Sequence, residues 1–156
     1  MNHSLQEKTS LDGIMHIVLR DAVTNEIKEY HEIHNVVCDR GKNVIAARLN
    51  GETTYTGIIN YLAVGTGAAS PASTDTQLVT ELARTTVSSN SRVNNIATIS
   101  FFFNSASGNG TLTEAGAYID GTGSPNSGQL FDHVSLPSIV KTSADTLTIT
   151  LVGTVL

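Results

Sequence analysis

The chain is 156 residues long, 40 % hydrophobic and only 15 % charged, with 9 lysines and arginines against 14 aspartates and glutamates and a net charge of −5. That length suits one domain with its own core. The charge pattern lacks the clustered basic face that nucleic acid requires, no apolar run approaches the ~18 residues of a membrane helix, and a lone Cys38 excludes an intrachain disulfide.

Residues 1–12 are polar, with only Leu5 and Leu11 to bury, and read as an N-terminal arm, either frayed or ordered against a neighbouring subunit. They lack the apolar stretch of a signal peptide, so synthesis in a cytoplasm is expected. A single domain is expected over residues 13–156.

Gly13 to Arg20 alternates as a strand, and after a turn at Asp21 to Asn25 the segment Ile27 to Val37 reads as a second, so the two form a hairpin. The one helix expected spans about residues 39–50. Asp39 caps its start, Val44, Ile45 and Leu49 fall on one face, and Asn50-Gly51 ends it. Asn60 to Val64 is a short apolar strand. The stretch Gly65 to Ser73 is a loop, and Asp75 to Leu82 is a helical turn or tucked loop anchored by Leu78 and Leu82.

Arg84 to Ser89 and Asn94 to Asn104 are strands. In the second, Ala97, Ile99, Phe101 and Phe103 share a face, and Phe102 on the other implies cover there as well. Ser105 to Gly110 reads as a hairpin loop returning into Thr111 to Ile119. After a loop at Asp120 to Gly128 comes a strand from Gln129 to Pro137. Asp145 to Leu156 alternates most clearly, with Leu147, Ile149, Leu151 and Val155 inward and threonines outward. The pattern is mainly β: an antiparallel β-sandwich of about seven to nine strands with one short helix.

Chemistry-bearing motifs are sparse. Gly65-Thr66-Gly67 follows a strand but lacks both the Lys-Ser/Thr of a phosphate loop and the third glycine of a dinucleotide fingerprint, so it reads as a tight turn. His31 and His34 point to opposite faces of their strand, where metal ligands need even spacing. His16 opposite His31, with Glu29 or Glu32, is the one conceivable metal cluster, and solvated strand histidines are the simpler reading. His133 has no evident partner. No Gly-x-Ser-x-Gly elbow occurs. Cys38 precedes the helix start, a position that lowers a thiol pKa when the thiol is accessible, but a buried thiol fits better. Glu81 and Glu114 are the only carboxylate pair suggesting glycosidase chemistry, and with no tryptophan and few other aromatics the chain lacks a sugar platform. Catalytic, cofactor and metal residues are therefore expected to be none. Arg84 and Glu114 stand in apolar, neighbouring segments and are expected to form a structural ion pair.

The run Asn60-Tyr61-Leu62-Ala63-Val64-Gly65-Thr66-Gly67, then Pro71, Thr76-Gln77-Leu78 and Glu81-Leu82-Ala83-Arg84, resembles the collar or attachment domain of tail fibre proteins of tailed bacteriophages. The likeness extends through Thr113 to Tyr118, Gly128 to Phe131, Ser138 to Thr142 and the strand Asp145 to Thr150. Upstream, Asn35-Val36-Val37 and Gly41 also fit, so it covers about residues 35–156. It implies a non-enzymatic virion protein, without cofactor, nucleic acid or membrane, that docks to other virion proteins as a homo-oligomer, a trimer or higher ring. The family's long shaft and receptor-binding tip have no counterpart in this sequence, which favours a connector in collar, tail or baseplate. A head-decoration protein, a lectin-like module binding host glycans, and a hydrolase using Glu81 or Glu114 are the rival expectations.

Overall fold

The computed structural model describes residues 10–156. Its elements are β1 (Leu11–Asp21), β2 (Ile27–His34), β3 (Val36–Val37), α1 (Asp39–Leu49), β4 (Ile59–Gly65), β5 (Glu81–Val93), β6 (Ile96–Phe103), β7 (Gly110–Ile119), β8 (Gln129–Lys141) and β9 (Asp145–Val155). Of the expected arm, residues 1–9 lie outside the described residues, while Leu11 and Asp12 already belong to β1 and pair with Val155 and Thr154.

All nine strands are antiparallel, in the order β2-β1-β9-β6-β5-β4-β7-β8-β3. The sheet is nearly closed because its two outermost strands, β2 and β3, are separated in the chain by Asn35 alone. The long β5 makes the fold two-layered. Its first half pairs with β4, from Glu81 to Thr86, and its second half with β6, from Val87 to Val93, with a register shift between Val87 and Ser89. An irregularity of this kind bends a strand and lets it pass from one layer to the next. One layer is β2-β1-β9-β6 and the end of β5; the other is the start of β5 with β4-β7-β8-β3. The result is a β-sandwich with a barrel-like closure.

Period-two alternation delivers one face of each strand to the space between the layers. Met15, Ile17 and Leu19 of β1 meet Phe101 and Phe103 of β6 and Leu147, Ile149 and Leu151 of β9. Across from them lie Leu62 and Val64 of β4, Leu112 and Ala115 of β7, and Val134, Leu136 and Ile139 of β8. Each large apolar side chain so buried contributes about 1.5–3 kcal/mol. Phe102, on the opposite face, is 45 % exposed, so nothing among the described residues covers that side of β6 as the three phenylalanines suggested. Val155 also stands half exposed at the end of its strand.

α1 packs on β8, with Gly41, Val44 and Ala47 as its buried side. A side chain at Gly41 would meet the Phe131 backbone at 2.9 Å, so the glycine sets how close helix and sheet lie. The buried stripe differs from the expected one: Leu49 is 85 % exposed. The cap differs as well. Cys38 is the N-cap residue, without a side-chain cap, and Asp39 is the first helical residue, where its charge favours the positive helix end. Gly51 takes a left-handed conformation (φ 82°), as expected of the helix stop.

Two expected connections change. Ile27 to Val37 is broken at Asn35 into β2 and β3, which belong to different layers. The segment between β6 and β7 is not a hairpin loop. β6 pairs with β5 and β9, and β7 with β4 and β8, so residues 104–109 cross from layer to layer. That crossing is pinned from inside by Lys141, whose ammonium donates to the Asn104 carbonyl and to Asn109 Oδ1, both at 2.8 Å. Burial holds the Lys141 pKa below its ordinary value.

Candidate docking face

The outer face of β4-β7-β8 carries the long loop 66–80 and the loop 120–128, and buried charges hold both in place. Glu114, on β7, is buried beneath the first loop. Its Oε1 accepts from the Gly67 amide at 2.9 Å and the Thr80 amide at 2.8 Å, and its Oε2 accepts from Val79 at 3.0 Å. One carboxylate therefore closes both ends of the loop. A side chain at Gly65 or Gly67 would run into that carboxylate, which is why the turn after β4 is built from glycine.

His133, on the adjacent strand β8, is the second member. Its Nε2 lies 3.0 Å from Glu114 Oε2 and its Nδ1 lies 2.7 Å from Asp75 Oδ2. A carboxylate only accepts, so two hydrogen bonds from one imidazole require protons on both nitrogens or a protonated carboxyl partner. Partial burial pushes the Asp75 carboxyl up, but the Ala72 amide and His133 outweigh it and hold it below the ordinary carboxylate value. With both ring nitrogens engaged, His133 presents no lone pair to a substrate. The Tyr118 hydroxyl, also buried, accepts from the Leu78 amide at 3.1 Å. Cys38, Ala63, Leu78, Tyr118 and Leu130 form the small apolar cluster under this loop.

Arg84 and Glu81 hold the second loop. Arg84 Nε donates to Glu81 Oε1 at 2.6 Å and Nη2 donates to Oε2 at 2.8 Å, a bidentate pair whose side chains are 5 % and 2 % exposed. Arg84 Nη1 donates to the Thr122 carbonyl at 2.9 Å and Ser127 Oγ at 2.8 Å, while the Asn126 amide donates to Glu81 Oε2 at 2.8 Å. The guanidinium lies 4.7 Å from the Tyr118 ring centre and 5.6 Å from that of Tyr61. Such stacking costs the cation little hydration and fixes its plane.

The expected Arg84–Glu114 ion pair is therefore corrected. Among the described residues each charge has a different partner, Glu81 for Arg84 and His133 with three amides for Glu114. The reason is local: Glu81 is three residues from Arg84 on one strand, and the loop brings its own amides down onto Glu114. Leu78 is the buried anchor that was expected, whereas Leu82 is 45 % exposed on β5.

The remaining candidates scatter. His16 Nδ1 lies 2.8 Å from the Tyr30 hydroxyl, not beside His31, and His31 Nε2 lies 3.0 Å from Glu29. Among the described residues no group of three His, Cys, Asp or Glu is placed to hold a metal ion, and no helix is long and apolar enough to cross a membrane. Cys38 is fully buried, which together with nearby carboxylates pushes its thiol up to about 12, so the helix start does not activate it.

His133, read in the sequence as without an evident partner, has two, and Asp132, Asp75 and Asp145 were missed. Asp132 and His133 carried a usable signal: two ionisable residues between the apolar Leu130-Phe131 and Val134, the same oddity that singled out Glu114. Asp132 is fully buried, accepting from the Ala117 amide at 2.9 Å and from Asn35 Nδ2. Asp145 gave less to go on. Its carboxylate is 1 % exposed and takes Lys28 Nζ at 2.5 Å. The Lys28 bond, outweighing burial, holds Asp145 down to about 2, helped by the Thr142 amide and hydroxyl.

A depressed carboxylate stabilises the fold above its ordinary pKa, and that stabilisation is lost as pH falls towards the folded value. Lys28→Met is therefore expected to raise the pH of acid unfolding, with the stability difference full above about 4 and fading as pH falls to about 2. Acid titration followed by circular dichroism measures it, and equal midpoints would refute this role for the pair.

Comparison with family models, curated proteins and solved structures returned no significant match.

Proposed function

We propose that the chain is a non-enzymatic structural subunit of a tailed-bacteriophage particle, a connector in collar, tail or baseplate that works by packing against other virion proteins and copies of itself. The observation that carries this reading is the use made of the buried charges. Glu114, His133, Glu81 and Arg84 turn their hydrogen-bonding groups to one another and to loop backbone, fixing the shape of loops 66–80 and 120–128. Stiff loops over a rigid sheet lower the ordering cost of docking. Repetition by symmetry then turns many modest contacts into strong attachment. The order of sequence segments shared with fibre collar domains supplies the particle as the setting.

The test is immunogold microscopy of purified phage particles with antibody against this chain. Label at one fixed site on the neck, tail or baseplate is expected. Particles that carry no label, although the chain is expressed in the infected cell, would overturn the proposal.

A further inference from the structure

We infer that β2 is a self-complementary edge through which two copies of this chain pair antiparallel, with Tyr30 of each copy facing Tyr30 of the other. The packing role proposed above gives this pairing its use, but the pairing stands on separate observations.

The first is that β2 is an open edge among the described residues, where it pairs with β1 alone. The opposite side of the sheet is blunted. β3 is two residues long, and the part of β8 beyond it carries Pro137, Ser138 in a left-handed conformation (φ 55°) and a register shift against β7. β2 is eight residues long and contains neither proline nor glycine. Its apolar Ile27 and Tyr30 are 56 % and 53 % exposed.

The second is the phase of the free backbone groups. The Asn35 amide donates to the Gly13 carbonyl, and the same register pairs Ile14 with His34 and His16 with Glu32. In an antiparallel ladder hydrogen-bonded pairs alternate. Glu29, His31 and Ile33 therefore turn their backbone groups to β1, and Tyr30, Glu32 and His34 turn theirs outward. A second β2 can be received only in a register that matches even-numbered residues to even-numbered ones.

The third is charge. Around a two-fold axis at Tyr30, Glu29 faces His31 and Ile27 faces Ile33. Lys28 faces Glu32. Lys28 sits where the β1–β2 register shifts and already holds Asp145, yet its ammonium has three donors to share. Slipping the register by one step of two residues puts Glu29 opposite Glu29; slipping it the other way takes Glu32 away from Lys28. Unlike charges directly across a ladder stabilise and like charges oppose it. The sequence of β2 thus selects one antiparallel register against its neighbours.

Sedimentation velocity on the full chain over a wide range of concentration is expected to show a reversible monomer–dimer equilibrium. Tyr30→Pro removes an outward amide that β1 does not use, and Glu32→Lys sets two lysines face to face. Each is expected to weaken the dimer about tenfold or more, with thermal melting of the monomer retained. Should the proline variant fail to fold, Glu32→Lys alone decides. Register is read separately. Tyr30→Cys is expected to cross-link copies rapidly under mild oxidation, since paired strands hold facing Cα atoms about 5.5 Å apart, within disulfide reach. Glu29→Cys, offset from its own copy, is expected to cross-link slowly, and the buried Cys38 does not compete. A chain that stays monomeric at every concentration, a dimer indifferent to Glu32→Lys, or faster cross-linking at Glu29 than at Tyr30 would each overturn the inference. None of these results bears on whether particles carry the chain, so it can fail while the proposed function stands.

Discussion

Glu114→Ala is expected to destabilise the fold by about 3–5 kcal/mol, seen as a fall in Tm of roughly 10 °C. The carboxylate is 1 % exposed and satisfies three loop amides and one imidazole nitrogen. Its removal strands the Gly67, Val79 and Thr80 amides under the loop and leaves His133 with only Asp75. An orphaned buried donor costs about 1–3 kcal/mol, and part of that is recovered if water enters the space. Hydrogen exchange gives a second reading: protection should be lost first at those three amides, while the strands of the β1-β9-β6 layer keep theirs. Glu114→Gln retains an acceptor oxygen but turns an amide nitrogen toward donors, so an intermediate loss is expected. If urea unfolding shows Glu114→Ala within about 1 kcal/mol of the parent, Glu114 does not clamp the loop.

Asp132→Asn is expected to flatten a pH dependence that the parent protein carries between about pH 4 and about pH 7. Asp132 is fully buried, and burial raises its carboxyl from 3.8 to about 7 against the opposing pull of the Ala117 amide and Asn35. In the unfolded chain this group loses its proton near 4, whereas in the fold it keeps the proton to about 7. Between those values the folded state binds the extra proton, so stability falls as pH rises through the window and levels off above it. The size of that fall is on the order of 4 kcal/mol.

This sign is opposite to that of Asp145, whose contribution is lost toward acid. Taken by themselves these two groups favour greatest stability at about pH 4, where Asp145 is ionised in the fold and Asp132 still holds its proton. The amide variant removes the titrating group and supplies a donor for Asn35 Oδ1, the one buried side-chain polar atom without a partner among the described residues. Denaturant unfolding of both proteins across the window tests this. A difference between them that does not grow with pH would refute the role of Asp132.

What could be read from the linear chain followed the periodicities. The alternation in β1 and β9, the helix stop at Asn50-Gly51 and the β1–β2 hairpin were legible because each depends on neighbours a few residues away. Leu78 and Leu82 were legible as possible anchors of a polar stretch, but which of them is buried was not. The helix face was misjudged because Leu49, five residues on from Val44, lies about 140° round the helix from it, off the stripe of Gly41, Val44 and Ala47 that is buried.

The clamps lay beyond that reach. Glu114 and Arg84 were legible as charges needing partners, since an apolar setting makes an unpaired charge costly. Glu114's partners depended on β7 lying beside β8 and on where loop 66–80 lands, contacts spanning 19 to 47 residues of chain, whereas Arg84 took Glu81 from its own strand. Composition and pattern by themselves determined a β-rich fold with a helix near residue 40 and charges that had to be neutralised inside it. Only the tertiary structure decided how those charges pair, because hydrogen bonds are specific to distances that arise when strands far apart in sequence are laid side by side.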